Sequence, residues 1–394
     1  MNTPVTTAPQ RILVVTLADL GDALLTTPAL QELRRAHPLA RVTVLTTPAG
    51  RAALERLTCY DELIVFDKRR FDDPRHLLRP ANLRDALGLW RRLRDRYDAC
   101  VILHHLTTRF GALKYAALAA ASGASRRYGL DNGRGWFLTD RVRDDGFGAR
   151  HQAEYWLAVV RLLGGAYDSQ PPLPIFRTTH AAEARARALY EALGGRPTIA
   201  IHPGSGAFAP ARRWPPPRWG ALADALIEDG YTIVVIGGSE EADLRRSMLA
   251  AMTHADRVID LGGRTTLPEL AAVLRRCILM IGNDSGLTHL AGSVGTPVVG
   301  VFGPTDPRAW GPYGGDSWTV LESFPNGVEL LQSGPHRALK AAIACSPCIY
   351  RGHRLGTPAG CPDRTCLQRI EVRQALVVVR RRLNELQGSC VSTT

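Results

Sequence analysis

Short apolar runs alternate with amphipathic stretches along most of this chain. Arg11-Ile12-Leu13-Val14-Val15-Thr16-Leu17 reads as a strand buried on both faces, and residues 23–36 follow with helical spacing. Residues 42–45, 63–66 and 99–103 are further apolar runs of strand length. Between them, 52–57 and 83–97 are helical; the second sets Leu83, Leu87, Trp90 and Leu93 on one face and Arg91, Arg92 and Arg94 outside. Wholly apolar strands separated by helices predict a parallel sheet covered on both sides. The rhythm breaks over 164–197, where Gly164-Gly165, Pro171-Pro172, Pro174 and Gly194-Gly195 flank a polar helix, and a domain linker is expected there. It then restarts with strands at 198–201, 232–236, 258–261, 278–281 and 298–301, and helices at 219–227, 244–251 and 267–275. The expected class is α/β, with two Rossmann-like domains facing across a cleft, 1–175 and 176–366, and a C-terminal helix and tail over 367–394. Ligands of such sheets bind outside the C-terminal strand ends.

The composition fits this reading. With 394 residues, 45% hydrophobic and 22% charged, the chain suits two or three globular domains. No apolar run approaches the ~20 residues of a membrane span, and residues 1–10 lack the basic and apolar regions of a secretory signal. A cytoplasmic address is expected. The net charge of +12 is carried almost wholly by arginine, with Lys68, Lys114 and Lys340 the only lysines. It selects anionic partners: nucleotide phosphates, phosphorylated glycans, or an anionic membrane touched peripherally from its inner face. Nucleic acid is not expected, since no nucleic-acid-binding signature is present.

Candidate chemistry gathers where strands end. Gly282-Asn283-Asp284-Ser285-Gly286-Leu287-Thr288-His289 is a strand end, a turn and a helix start, a place where free N–H groups favour an anion. Asp284 can accept from sugar hydroxyls, Ser285 and Gly286 can reach a phosphate, and His289 lies one helical turn in; a plain helix cap is the competing reading. His202-Pro203-Gly204-Ser205-Gly206 offers a second anion cradle, followed by Arg212-Arg213-Trp214-Pro215, whose arginines can neutralise a diphosphate. In Gly237-Gly238-Ser239-Glu240-Glu241, Glu240 is a candidate ribose contact. Asp22, after the first strand, is either a helix-capping carboxylate or a general base.

Together these residues resemble the bacterial heptosyltransferases, glycosyltransferases of family 9 that use ADP-heptose in lipopolysaccharide inner-core synthesis. The likeness runs from "LADLGDALLTTPAL" through "HPGSG" and "ARRWP" to "GNDSGLTHLAGSVGTPVVGVFGPTDP". It implies the GT-B fold, a C-terminal helix that returns to the first domain, an inverting direct displacement and no catalytic cofactor. By resemblance Asp22 is the catalytic carboxylate, Arg212 the basic residue that assists ADP, and Asp284, Ser285, Gly286 and His289 the donor segment. Many relatives carry Lys where this chain has Thr16, so an acceptor anion must be held otherwise; Thr26, Arg109 and Arg134 are the candidate acceptor contacts. Rival readings are a GT-B enzyme for another nucleotide sugar and a non-catalytic nucleotide- or glycan-binding protein.

Cys345, Cys348, Cys361 and Cys366 place four thiols within 22 residues. Four thiols suit tetrahedral zinc or iron, and reduced thiols packing a loop are the alternative. A homo-oligomer is left open.

Overall fold

The first apolar run becomes β1 (Arg11–Thr16), whose positions Ile12 to Val15 are fully buried. The computed structural model describes residues 9–71, 75, 79–94, 96–167, 170–206, 209–349 and 359–391. Two units are distinguished: Met1–Gly146 with Gln152–Pro172, and Phe147–His151 with Leu173–Thr394.

In the first unit β1 is followed by α1 (Leu20–Leu24), α2 (Thr27–Ala36), β2 (Arg41–Thr46), α3 (Pro48–Leu54), β3 (Glu62–Val65), α4 (Pro80–Leu93), β4 (Ala99–Ile102), α5 (Arg109–Ala121), β5 (Arg126–Asp131), β6 (Asp140–Arg143) and α6 (Gln152–Arg161). The strands are all parallel, in the order β3-β2-β1-β4-β5-β6. Strand order reverses between β1 and β4, the switch point at which doubly wound sheets open a ligand crevice. One expectation fails on α4. Its buried residues are Asn82, Leu89 and Leu93, and Leu83, Leu87 and Trp90 are exposed, with the Arg94 guanidinium stacked 4.9 Å over Trp90. The helix has rotated its stripe so that Leu89 and Leu93, with Tyr97 beyond, join the core beneath the sheet.

The second unit runs α7 (His180–Ala192), β7 (Thr198–His202), α8 (Pro216–Glu228), β8 (Thr232–Val235), α9 (Ala242–Leu249), β9 (Val258–Asp260), α10 (Leu267–Leu274), β10 (Leu279–Asn283), α11 (Gly286–Ser293), β11 (Val298–Phe302), α12 (Pro307–Trp310), β12 (Thr319–Ser323), β13 (Val328–Ser333), β14 (His336–Ala341), α13 (Thr365–Gln368) and α14 (Val372–Val391). Its sheet, in the order β12-β13-β14-β11-β10-β7-β8-β9, is parallel from β14 to β9, with β12 and β13 added antiparallel. Here the order reverses between β7 and β10.

The polar helix assigned to the linker is α7, and it belongs to the second unit. It buries Ala182 and Ala186, and Glu183 pairs with Arg275 at 2.8 Å and Arg276 at 2.6 Å. The C-terminal helix α14, expected to return to the first domain, is counted with the second unit and packs on α8. Ala375, Val378, Val379 and Leu383 enter the core around Trp214 and Trp219, each buried valine or leucine contributing roughly 1.5–3 kcal/mol. Arg380 forks onto Asp229 at 2.7 and 2.8 Å beside them. No described helix is long and apolar enough to cross a membrane.

Candidate functional site

Three turns of the second unit leave the neighbouring strands β10, β7 and β8 at their C-terminal ends. The turn after β7 is pinned by Asn283, a fully buried residue whose amide donates to Pro203 O (2.7 Å) and Gly204 O (3.2 Å) and whose Oδ1 accepts from Trp214 N (2.9 Å). This carboxamide ties the glycine turn, the Trp-Pro segment and the β10 end into one piece. Arg212 closes a short 3-10 helix (Pro210–Arg212) and places Nη1 3.3 Å from Asp284 Oδ2. Its neighbour Arg213 is engaged locally, on Ser205 Oγ (3.2 Å) and Gly206 O (2.9 Å).

The pair of Arg212 and Asp284 is incompletely satisfied. Arg212 Nε, Asp284 Oδ2 and His289 Nδ1 are buried without a hydrogen-bond partner, a cost that a ligand would relieve. Burial first, and then the Arg212 charge, push His289 down to about 4, so its ring is neutral at pH 7. Ser285 stands at the N-cap of α11 and makes no capping bond. The structure therefore brings Arg212, Asp284, Ser285, Gly286 and His289 together at the start of α11.

The second cradle is filled from within the protein. Glu241, the neighbour of the candidate Glu240, puts Oε1 on the amides of Ser205 (2.9 Å) and Gly206 (2.8 Å) and Oε2 on Gly238 N (3.2 Å) and His202 Nε2 (2.9 Å). Gly204, Ser205 and Gly206 thus cradle a carboxylate, and a Cβ on Gly204 would stand 2.0 Å from its Oε1. Gly206 also needs its freedom, with φ at +71°. Glu240 is exposed, its carboxylate folded over Gly238. Burial raises Glu241, but the His202 hydrogen bond and charge and the two glycine amides outweigh it and hold the group at about 2. A carboxyl depressed below its ordinary 4.5 stabilises the fold above that value and loses the effect as pH falls toward about 2. Glu241→Gln should therefore cost about 3 kcal/mol at neutral pH, with the gap to wild type narrowing below pH 4.5. Denaturant titrations at several pH values would show it; a constant gap down to pH 2.5 would contradict it.

In the first unit Asp22 lies half-buried in the first turn of α1, directly after β1. Lys68 Nζ donates to Leu17 O at the same strand end. Thr26 is 1% exposed and donates its hydroxyl to Ala23 O (2.7 Å). It sits between α1 and α2, where a back-bonded threonine closes the turn. Arg134 reaches Leu106 O and Asn132 Oδ1, both at 3.4 Å, while Arg109 is exposed at the start of α5. Unforeseen from sequence is a buried set at the ends of β4 to β6. His105 Nδ1 meets Asp144 Oδ2 at 2.9 Å, and Asn132 donates to the same oxygen at 3.1 Å.

Cys366 is pushed up to about 11, first by burial, and Cys348, Cys361 and Cys345 are close enough to add to it. Cys361 Sγ accepts from Arg364 N at 3.3 Å, and Cys348 N donates to Pro304 O at 2.8 Å. Among the described residues no three ligating side chains are gathered as a metal ion would require. Cys59, Cys100 and Cys277 are buried, as their apolar surroundings predict.

The sequence profile of glycosyltransferase family 9 (heptosyltransferase) matches residues 86–330. The chain is 25% identical over 338 residues to lipooligosaccharide heptosyltransferase 2 of Haemophilus influenzae, an alignment spanning 82% of this chain and 91% of that protein. A family 9 glycosyltransferase from Veillonella parvula matches the structure with a TM-score of 0.71 at 25% identity, over 95% of this chain and 97% of that one. The E. coli ADP-heptose lipopolysaccharide heptosyltransferase II matches with a TM-score of 0.65 at 21% identity, over 95% and 98%. Two Rossmann-like units of the GT-B kind and a profile spanning more than half the sequence lead to one assignment: the chain belongs to glycosyltransferase family 9, the heptosyltransferases.

Proposed function

We propose that this heptosyltransferase moves a heptose from ADP-heptose to a hydroxyl of a lipopolysaccharide inner-core acceptor. The observation that carries the reading is the start of α11, where a serine that makes no side-chain cap adjoins Arg212, Asp284 and His289, with three buried polar atoms lacking a hydrogen bond. Such a site suits the diphosphate and sugar hydroxyls of a donor like the one named for the E. coli relative. In the reaction the acceptor oxygen attacks the anomeric carbon, and the bond from that carbon to the diphosphate oxygen breaks. ADP leaves with the electron pair, and Asp22 takes the acceptor proton. Arg212 and the α11 amides stabilise the charge growing on ADP. Asp284, held by Arg212, accepts from sugar hydroxyls. On the acceptor side Arg109 and Arg134 supply cations for an anionic core sugar.

Turnover of ADP-heptose beside UDP- and GDP-sugars, with a delipidated core acceptor, tests the donor. Equal use of the other nucleotide sugars would remove the assignment.

We also propose that Cys345, Cys348, Cys361 and Cys366 hold one structural zinc or iron, on the ground that four soft thiols fall within 22 residues of sequence. Elemental analysis of chelator-free protein should find close to one metal per chain. Exchanging any one thiol for serine should release it and loosen this segment while part of the activity survives, since the chemistry is assigned elsewhere. Metal-free wild type that folds and turns over would leave the thiols as loop packing.

A further inference from the structure

A helix on the surface of a globular unit ordinarily turns a polar side outward. Along one stripe α4 does not. Leu83, Leu87 and Trp90 recur at the i, i+4, i+7 spacing of a single helical face and are 50%, 44% and 41% exposed. The helix is nonetheless anchored by its other side, where Leu89 and Leu93 enter the core of the first unit. The neighbouring helix α5 packs against α4 and exposes Leu113. A lone exposed leucine is ordinary, whereas three large apolar side chains in one row mark a contact surface.

The charge around the stripe has one sign. At about 3.6 residues per turn, Arg84 and Arg91 fall beside Leu87, and both are exposed. The Arg94 guanidinium stacks 4.9 Å over Trp90. Asp85, the single acidic residue of α4, lies away from the stripe and pairs with Arg70, and α5 carries no acidic residue. A second copy of the chain fits this face badly, because a two-fold contact would set Arg84 and Arg91 against their own counterparts. An anionic bilayer fits it well. Leucine and tryptophan side chains enter the headgroup boundary, while arginines keep their stems on apolar surface and their guanidiniums on lipid phosphates.

We infer that α4 lies on an anionic lipid surface, with Leu83, Leu87 and Trp90 in the headgroup boundary and Arg84, Arg91 and Arg94 on its phosphates. This docking rests on the α4 residues alone. Its use rests on the acceptor reading above. The 3-10 turn Lys68–Phe71 joins α4 to the strand end that precedes Asp22: Lys68 Nζ donates to Leu17 O, and Asn82 Nδ2 of α4 donates to Arg70 O at 3.1 Å. A docked α4 thereby holds the crevice of the first sheet near the bilayer in which a lipid-anchored acceptor sits.

Flotation of the full chain with vesicles tests it. Wild type should bind vesicles of phosphatidylglycerol and phosphatidylcholine in equal parts at least about tenfold more tightly than phosphatidylcholine alone, each arginine near the surface being worth roughly fivefold. Added salt should weaken that binding. Replacing the stripe by Leu83→Ser, Leu87→Ser and Trp90→Ser together should cost at least about tenfold. Arg84→Gln with Arg91→Gln should cost a similar factor, on the anionic vesicles only. Both variants change exposed side chains outside the site, so thermal unfolding and turnover of a delipidated acceptor should match wild type. Arg187→Gln with Arg196→Gln, exposed arginines of the second unit, control for overall charge and should bind as wild type. Wild type that ignores anionic vesicles, a stripe variant that binds normally, or an equal loss in the Arg187 and Arg196 control would each overturn the inference. So would a wild-type dimer in light scattering that the stripe variant dissolves, which would make the face a contact between copies. Vesicle binding by a chain that transfers no heptose would overturn the proposed function and leave the docking surface standing; transfer without vesicle binding would do the reverse.

Discussion

Asp22→Ala is expected to lower heptosyl transfer by at least about a hundredfold while ADP-heptose binding stays within a few-fold of wild type. The side chain follows β1 in the first turn of a five-residue helix, beside the point where strand order reverses in the first sheet. A carboxylate is a weak base at rest. An acceptor hydroxyl becomes acidic only as its oxygen bonds to the anomeric carbon, so a weak base placed correctly is enough. The groups assigned to the donor all lie in the second unit, and removing a carboxylate from the first leaves them intact. Single-turnover kinetics together with calorimetry would separate the two effects. Near-normal turnover in the variant would return Asp22 to the role of a helix-terminal charge.

Arg212→Ala is expected to weaken ADP binding on the order of ten- to a hundredfold, the worth of a hydrogen bond to a charged partner, and to slow turnover at least as much. A guanidinium on a diphosphate acts in the ground state and more strongly as charge develops on the leaving group, so KM and kcat should both move. A second cost is specific to this structure. Asp284, buried and paired with Arg212 at 3.3 Å, would be left without its countercharge. Adding Asp284→Asn should therefore recover stability lost by Arg212→Ala and leave ADP binding weak. Arg213→Ala makes the contrast, because Arg213 is engaged on Ser205 and Gly206 and its loss should loosen the turn first. ADP affinity unchanged in Arg212→Ala would shift the phosphate role to the α11 amides alone.

Much of the scaffold was readable where the signal is local. Unbroken apolar runs marked β1, β7 and β10, and the Gly/Asp/Ser turn after β10 marked the start of α11 within a residue. Strands whose exposed positions are charged were missed: β5 (Arg-Arg-Tyr-Gly-Leu-Asp) and β6 (Asp-Arg-Val-Arg) carry no apolar run, and pairing of β5 to β4 and of β6 to β5 orders them. Glu240 and Glu241 look alike in sequence, both polar residues opening a helix. Only the convergence of β7 and β8 decides that Glu241 turns inward onto three amides and His202 while Glu240 stays in solvent. The partner of α14 was equally invisible, since an amphipathic helix states that it packs and never against what; Trp214 and Trp219 in the second core supplied that answer. Asp284 and Arg212 were legible as types, and their ion pair was not.

The most direct test of the central claim is the mass of a defined inner-core acceptor after incubation with ADP-heptose and the full chain. The account predicts a gain of one heptose with stoichiometric release of ADP, abolished in Asp22→Ala. An unchanged acceptor across a panel of core hydroxyls, with ADP-heptose bound and intact, would contradict it.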